Sequence, residues 1–290
     1  MRVVFILFVI LPLASQGQYK RAKKQAVGAG HIFLYLGSNK TWYSKSTLNF
    51  NGAAYDFVVK GTYASDGHSL ISFPANKSSY ALNVTQFNAK VGYLLSDHYA
   101  VVLDWNRCNY NLLNQQNISF SGTVTEGIDP VGGLSGNYTN QPFLLDSSKL
   151  YIQLNALNSF QLQCNRFDDI VTLGKRKNRF TVSSFTGLGF GALASTSNFL
   201  FLGKRDYNVR SLSGIILSAQ AGMRIHCFNY FFIQSDLTGG FMNQLSVRNR
   251  TNESNAFMKQ KLGYLNYHLG IGVIFPVQSG SKCDTCPKWD

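Results

Sequence analysis

Charged residues are scarce in this chain, at 14% of the sequence. A soluble domain typically carries about 25% charged residues, so a fully solvated surface is not the expected environment. Acidic residues are the rarer kind, with 14 Asp and Glu against 27 Lys and Arg, which gives a formal charge of +13. The basic residues lie in short scattered clusters, whereas a nucleic-acid protein usually concentrates them on one face. We therefore expect anionic lipid as a partner and no nucleic acid.

Long apolar runs are missing beyond the N-terminus. A membrane-spanning helix needs about 20 apolar residues, and Gly, Asn, Ser or a charge interrupts every later run. The apolar run over 3–13 follows Arg2 and precedes the small residues around 15–17, which is the pattern of a secretory signal peptide. We predict a signal peptide over 1–17 and a basic periplasmic arm over 18–29.

Apolar and polar residues alternate with period two along much of the remaining chain. The clearest segments are 213–225, 230–242 and 264–275, where Leu, Ile and Phe occupy one face and Gln, Asn, Gly or His the other. A helix would scatter these groups around its circumference, so the pattern predicts strands. Five further segments fit with less contrast: 30–43, 84–95, 99–110, 157–171 and 179–193.

The connections between these strands alternate strictly between short and long. This asymmetry is typical of outer-membrane barrels, which have short periplasmic turns and long outer loops. The sequence predicts an all-β fold: an eight-stranded antiparallel up-and-down transmembrane β-barrel over 30–275, followed by a polar periplasmic tail over 276–290. The strand-like segment 55–64 is assigned to a hairpin in the first outer loop. The short connections are 96–98, 172–178 and 227–229, and the long ones are 44–83, 111–156, 194–210 and 244–261.

A soluble lipocalin-like barrel is the alternative architecture with eight strands. There the apolar face points inward and the outer face is charged. Here the polar face consists of Gln, Asn, Ser and Gly with few charges, which suits an interior better than a solvated exterior.

The predicted location is the bacterial outer membrane. The predicted partners are membrane lipid, lipopolysaccharide and the outer-membrane assembly machinery, and we expect the protein to be a monomer.

Several short motifs occur in order along the chain. They are Asn-Gly-Ala-Ala-Tyr-Asp-Phe at 51–57, Asp-His-Tyr at 97–99, Asn-Arg-Phe-Asp-Asp at 165–169, and Tyr-Phe-Phe-Ile-Gln-Ser at 230–235 with Gly-Gly at 239–240. Together they resemble a family of uncharacterised outer-membrane β-barrel proteins from Bacteroidota, over about residues 30–275. The resemblance implies fold and location, and it implies no activity.

Four charges fall on the predicted interior face: Lys90, Asp104, Arg224 and Asp236. An eight-stranded barrel has an interior just wide enough for side chains, so an open pore is not expected. Because buried charges need partners, we predict that these four form a network that closes the lumen. The expected role is then structural in the envelope, or binding at the surface through the outer loops.

An enzyme that acts on envelope lipid is the alternative function. Lipid A deacylases are also eight-stranded barrels, and they carry a His-x-Ser-Asn motif in which His activates the Ser hydroxyl. No histidine of this chain has Ser two residues further on. His268 and Asp236 are the weak catalytic candidates that a differently built site would use, and the protein is more simply interpreted as a non-enzyme.

Other candidate sites lie outside the predicted interior. Lys204, Arg205, Arg248 and Arg250 fall in the third and fourth outer loops, where they could bind lipopolysaccharide phosphates or line a solvated rim. In the tail, Cys283-Asp-Thr-Cys286 could form a local disulfide, as expected in an oxidising compartment, or bind metal or run redox chemistry. We predict the disulfide, no metal site and no cofactor.

Overall fold

The computed structural model describes residues 27–67, 86–129, 134–174, 180–228, 230–253 and 255–277. The predicted signal peptide, most of the basic arm, and the tail with Cys283 and Cys286 lie outside these residues. All regular secondary structure in the described ranges is β. No described helix could carry the chain across a membrane.

Within the described ranges, thirteen antiparallel strands form one sheet. They are β1 His31–Tyr43, β2 Ser46–Gly52, β3 Tyr55–Thr62, β4 Ala64–Ser65, β5 Phe87–Leu94, β6 Tyr99–Leu112, β7 Asn117–Val124, β8 Gly136–Leu144, β9 Leu150–Leu173, β10 Phe180–Phe201, β11 Lys204–Cys227, β12 Phe231–Arg248 and β13 Phe257–Pro276.

Eight of these strands hydrogen-bond in a closed ring. Its order is β1, β5, β6, β9, β10, β11, β12 and β13, and β13 then pairs with β1. The closing pair is antiparallel and continuous from His31↔Pro276 to Tyr43↔Tyr264. Closure matters because it removes the unpaired edges that an open sheet presents to other chains.

The two ends of the ring differ. At the end we call the short-turn end, ring strands are joined by the short connections 95–98, 174–179 and 228–230, and both His31 and Pro276 lie there. At the opposite end, called the extended end, several ring strands continue well beyond the ring and five further strands join the sheet. The ring therefore ends in short turns on one side, and on the other side it carries a folded extension that contains the five further strands.

The extension has an apolar core of its own. β2 continues the sheet from β13, β3 pairs with β2 and β7, and β7 pairs with β8, while β4 bridges β1 and β6. These strands bury apolar side chains against those of β6, β9, β10 and the ends of β12 and β13. The largest are Phe50, Phe57, Tyr110, Phe199 and Phe201.

This core explains why the predicted long loops are mostly strand. β10 and β11 stay paired to Phe201↔Lys204 and are joined by a two-residue turn, Leu202-Gly203, in which both φ angles are positive. Such a turn matches the twist of a hairpin. The predicted loop over 194–210 is therefore wrong, and the predicted total of eight strands is too low. The segment near 55–64 forms β3, a hairpin partner of β2 outside the ring.

Side chains of the ring strands alternate between two very different environments. On β12, Phe231, Ile233 and Phe241 point outward and are 59%, 48% and 73% exposed, whereas Gln234 and Asp236 are buried. The same inversion recurs around the ring. Outward-facing, exposed apolar residues include Leu34, Leu36, Val91, Leu103, Leu162, Leu188, Phe190, Leu217, Leu269 and Ile271.

Glycine on β13 makes room for an aromatic ring inside. A Cβ at Gly272 would lie 2.1 Å from Cζ of Phe232 and 2.4 Å from the carbonyl oxygen of Leu34. At Gly263 on the same strand, the nearest atom, Oγ of Ser44, would be 3.5 Å away. The lack of a side chain at Gly272 thus allows the Phe232 ring to pack against the backbone of β13. Position 263 has room for a methyl group.

We predict that Gly272→Ala lowers the free energy of unfolding by about 1–3 kcal/mol, the usual cost of overpacking a core. Gly263→Ala is the matched control and should change it by less than about 0.5 kcal/mol. Urea unfolding of the refolded protein in micelles, followed by tryptophan fluorescence, measures both. Equal effects from the two substitutions would contradict the packing argument.

Candidate functional site

Arg224 occupies an aromatic cage inside the ring near the short-turn end. Its guanidinium carbon lies 4.2, 4.5 and 4.0 Å from the ring centroids of Phe33, Phe167 and Phe232. The side chain also donates two hydrogen bonds, of 3.0 and 2.6 Å, to Oε1 of Gln234. Guanidinium groups stack on aromatic faces and are weakly hydrated, so Arg suits this environment better than Lys would.

The centre of the interior holds a charge cluster around Asp236. Nζ of Lys90 lies 3.2 Å from both carboxylate oxygens of Asp236. Nδ1 of His268 is 2.7 Å from Oδ1, and Oγ1 of Thr238 donates to the same oxygen at 3.3 Å. Nε2 of Gln234 donates to Oδ2 at 2.8 Å. The carboxylate therefore has partners on both oxygens, as a buried charge requires.

Asp104 is bound by amides, not by an ion pair. Asn88 and Gln163 donate to its two oxygens at 2.5 and 2.6 Å. Gln163 in turn accepts from Nε2 of Gln220 at 2.8 Å, and Oε1 of Gln220 accepts from Lys90 at 3.2 Å. A continuous chain of hydrogen bonds thus joins Asp104 to the cluster around Asp236.

The four predicted interior charges are all buried, each at most 3% exposed. The structure brings them into one network. Only one cation contacts a carboxylate directly, and the other two charges are joined to that pair through amide side chains. Lys90 contacts Asp236 directly, whereas Arg224 reaches it through Gln234 and Asp104 reaches Lys90 through two glutamines. Two positive and two negative formal charges balance across the network, which limits the cost of burying them.

A second polar layer lies between this network and the extended end. Nδ2 of Asn39 donates to Oδ1 of Asn106 and to the carbonyl of Phe87 at 3.0 Å. Nδ2 of Asn106 approaches the free thiol of Cys108 at 3.3 Å. Beyond it, Lys40 and Asp66 form an ion pair of 2.5 Å. Polar side chains therefore fill the ring from the aromatic cage to the apolar core of the extension.

The histidine and aspartate considered for catalysis are in contact but enclosed. The side chains of His268 and Asp236 are 1% and 0% exposed. Nε2 of His268 has no hydrogen-bond partner among the described residues, and no described Ser or Thr hydroxyl bonds to it. A lipid ester outside the ring could not reach this pair through the strands. The geometry fits a structural role for the pair.

The other histidines in the described part of the chain do not form a site with this pair. His226, near the end of β11, faces the interior, where its ring centroid lies 6.1 Å from that of Phe232. His98 lies at a short turn with Nδ1 3.1 Å from Oδ1 of Asp168. No group of three or more potential metal ligands occurs among the described residues, and Cys283 and Cys286 lie outside them.

The four basic residues expected to contact lipid are not equivalent. Arg250 is buried: it donates to Oδ2 of Asp206 at 2.9 Å and lies 3.9 Å from the ring centroid of Phe201. This contact holds the β10–β11 turn against the segment after β12. Because Arg250 is buried and paired with Asp206, its assignment as a lipid contact is wrong. Lys204, Arg205 and Arg248 are exposed.

Asp206, the acidic partner of Arg250, lies in the extension. Burial raises its pKa, but hydrogen bonds from Arg250 and Thr251 and the charge of Arg250 outweigh burial, so its pKa is lowered from the ordinary value. A lowered folded-state pKa contributes stability that is present above the unfolded-state pKa, about 3.9. That stability is lost as the pH falls through the folded-state value.

We therefore predict that acidification below about pH 4 loosens the β10–β11 hairpin tip. The protection factors of the amides at 199–206, which correct for the slower intrinsic exchange in acid, should fall below about pH 4 in the native protein. In Asp206→Asn they should be low at every pH. Exchange at 231–241, remote from the pair, is the internal control. Protection factors at 199–206 that do not fall with acid in the native protein would contradict this assignment.

Sequence reasoning missed the glutamines that connect the charges. Alternation puts Gln220 and Gln234 on the polar face of their strands, but their role depends on contacts between strands β5, β9, β11 and β12 that are distant in sequence. It also missed the Asp206–Arg250 pair, whose members are separated by 44 residues. An interior strand face rich in glutamine is the signal that could have indicated bridging amides.

Comparison with known proteins adds a structural likeness. No protein-family model and no curated protein matches the sequence. The outer membrane protein AlkL in lipid bilayers is 12% identical with a TM-score of 0.42, over 92% of this chain and 100% of AlkL. OprG from Pseudomonas aeruginosa is 11% identical with a TM-score of 0.39, over 86% of this chain and 97% of OprG. Ail of Yersinia pestis is 12% identical with a TM-score of 0.32, over 85% of this chain and 99% of Ail. With TM-scores this low, the fold assignment rests on the strand pairing itself.

The ion pair at the centre of the interior gives a direct stability test. Lys90→Met should lower the free energy of unfolding by about 3–5 kcal/mol, because it leaves the Asp236 carboxylate buried without its cation. The double variant Lys90→Met/Asp236→Asn should recover much of that loss, since neither charge is then unpaired. Urea unfolding in micelles measures the two single variants, Lys90→Met and Asp236→Asn, and the double variant. If the loss in the double variant equals the sum of the two single losses, the pairing is contradicted.

Proposed function

We propose that this protein is an outer-membrane β-barrel with a plugged interior, which acts through the folded extension at its extended end. The observation that supports this best is the inverted distribution of polarity around the ring. Apolar side chains face outward while Lys, Arg, Asp and His are buried inside. A water-soluble barrel needs the opposite arrangement, whereas a barrel in lipid needs this one.

The outward apolar belt has the height of a membrane. On β12 it runs from Phe231 to Phe241, and on β13 from Leu265 to Phe275, which is 11 residues on each strand. Tilted transmembrane strands need about 9–11 residues to cross the hydrocarbon. Closure of the ring also pairs the backbone of every wall strand on both sides, which a membrane requires because lipid offers no hydrogen-bond partners.

Exposed aromatic residues lie at both margins of this belt. Tyr93, Tyr99 and Tyr230 are exposed at the short-turn end, and Trp42 and Trp105 are exposed toward the extended end. Aromatic girdles at both interfaces are typical of outer-membrane barrels. The margins therefore support the same membrane position as the length of the belt.

We assign the short-turn end to the periplasm and the extended end to the cell surface. This orientation follows the usual asymmetry of bacterial barrels and places both ends of the described chain, near Val27 and Val277, in the periplasm. It also agrees with the signal peptide predicted over 1–17. Assembly by the outer-membrane machinery as a monomer, and membership of the Bacteroidota family suggested by the motifs, belong to the same proposal.

Because the interior is plugged, we expect the protein to act at its surface and not as a pore. The hydrogen-bonded network of the described residues fills the interior with buried side chains, so a solute could pass only by breaking contacts such as Lys90–Asp236. The extension instead presents β7 and β8, and most side chains of β8 are exposed. We therefore favour a structural or surface-binding role in the envelope over hydrolysis of envelope lipid, for which the enclosed His268–Asp236 pair offers no accessible nucleophile.

Cysteine labelling of intact cells tests the orientation. In a background with every native cysteine replaced by Ser, a membrane-impermeant maleimide should label Asn137→Cys and Asn252→Cys, which are exposed in the extension. Phe228→Cys, exposed in a short turn, should be labelled only after the outer membrane is permeabilised. Labelling of Phe228→Cys in intact cells would contradict the orientation, and recovery of the protein in the soluble fraction would contradict the membrane location.

A further inference from the structure

A basic groove lies on the outer surface of the sheet, just beyond the apolar belt. It has a volume of about 680 Å³ and is formed where β2 leaves β1 and pairs with β13. Three lysines line it, and the outward face of its walls also carries a hydroxyl and two amides. The lining residues that matter here are Lys45, Lys259, Lys261, Thr47, Asn49 and Asn243.

A fourth lysine extends the same face. Lys60 on β3 is the cross-strand partner of Thr47, and Thr47 is the partner of Lys261. Directly paired residues project to the same side of a sheet, so Lys60 and Lys261 flank Thr47 on the outward face. Lys45, Lys60, Lys259 and Lys261 are all exposed. We call these four residues and the groove between them the lysine groove.

The positive charge of the lysine groove is not neutralised by the part of the protein that the structure describes. None of its four lysines forms an ion pair with a described carboxylate. Lys45 instead lies 4.7 Å from the ring centroid of Tyr63, and Lys259 lies 5.0 Å from that of Phe257. Like charges gathered on one small surface repel each other, so an anion placed among them would be attracted strongly.

The position of the groove indicates where that anion lies. On β13 the outward residues run from Ile271 through Leu265 to Gly263 and then to Lys261. Lys261 is therefore four residues beyond Leu265, the last large apolar residue of the belt on this strand. On the neighbouring β12, Phe241 is 73% exposed, and Leu245 in the groove wall is 49% exposed. The groove thus combines charge at head-group depth with apolar contacts below it.

From this arrangement we infer that the lysine groove binds the head group of a phosphorylated glycolipid in the outer leaflet. Lysine ammonium groups bind phosphate as point charges. Thr47, Asn49 and Asn243 supply the hydrogen-bonding groups that sugar hydroxyls require, and Phe241 supplies contact for an acyl chain. This inference rests on the proposed membrane location, and it replaces the predicted lipid contact at Arg250, which is committed to Asp206.

The test uses the full mature protein in nanodiscs of zwitterionic lipid doped with diphosphoryl lipid A, with bound glycolipid counted by native mass spectrometry. The triple variant Lys45→Gln/Lys259→Gln/Lys261→Gln should bind roughly a hundredfold more weakly than the native protein, because each of the three basic residues near a charged lipid surface contributes about fivefold. Lys204, Arg205 and Arg248 were predicted either to contact lipid or to line a solvated rim, and the inference assigns them to the rim. The control Lys204→Gln/Arg205→Gln/Arg248→Gln removes the same charge there and should bind like the native protein.

Several outcomes would overturn the inference. Equal loss in both triple variants would mean that net charge alone attracts the lipid. Unchanged binding in the groove variant would place the lipid elsewhere. Competition by free inorganic phosphate at the affinity of the lipid would assign the groove to a soluble anion. Failure of the native protein to enter nanodiscs at all would instead refute the membrane location, so the two proposals fail separately.

Discussion

The structure depends on burying two cations and two carboxylates inside a ring whose outside is apolar. Each isolated charge would be costly in that interior, and the network makes the arrangement possible by placing Lys90 against Asp236 and by joining Arg224 and Asp104 through glutamine amides. The same contacts join strands β5, β6, β9, β11 and β12 across the ring, so they fix which face of each strand points inward. A slip of one residue would exchange the two faces and expose the charges to lipid.

The extended end follows from a different constraint. Beyond the belt, the ring strands would otherwise end in long polar loops, but their inward faces carry Phe199, Phe201, Leu150 and Ile152, which need burial. Five short strands supply the other half of that core. The Asp206–Arg250 contact then holds the tip of the β10–β11 hairpin against the segment after β12. The molecule therefore has a polar interior within the belt and an apolar interior beyond it.

Much of the ring is readable from the sequence, because the period-two pattern is strong where one face meets lipid and the other meets amides. This is why alternation assigned Lys90, Asp104, Arg224 and Asp236 to the face that the structure buries. The pattern fades in 111–156 and 194–210, where both faces are of mixed polarity, and there the strands were predicted as loops. Partners such as Gln220 for Lys90, or Asp206 for Arg250, depend on the strand order and register, which no local pattern encodes.

The central claim, lipid outside the ring and a sealed polar network inside, can be tested at one strand position. Leu269 points outward in the middle of the belt, beside the buried His268. In a protein whose native tryptophans Trp42, Trp105 and Trp289 are replaced by Phe, the fluorescence of Leu269→Trp can be measured in vesicles against brominated lipids and aqueous iodide. The account predicts strong quenching by acyl chains brominated near the bilayer centre and none by iodide. Quenching by iodide without quenching by the brominated chains would contradict it.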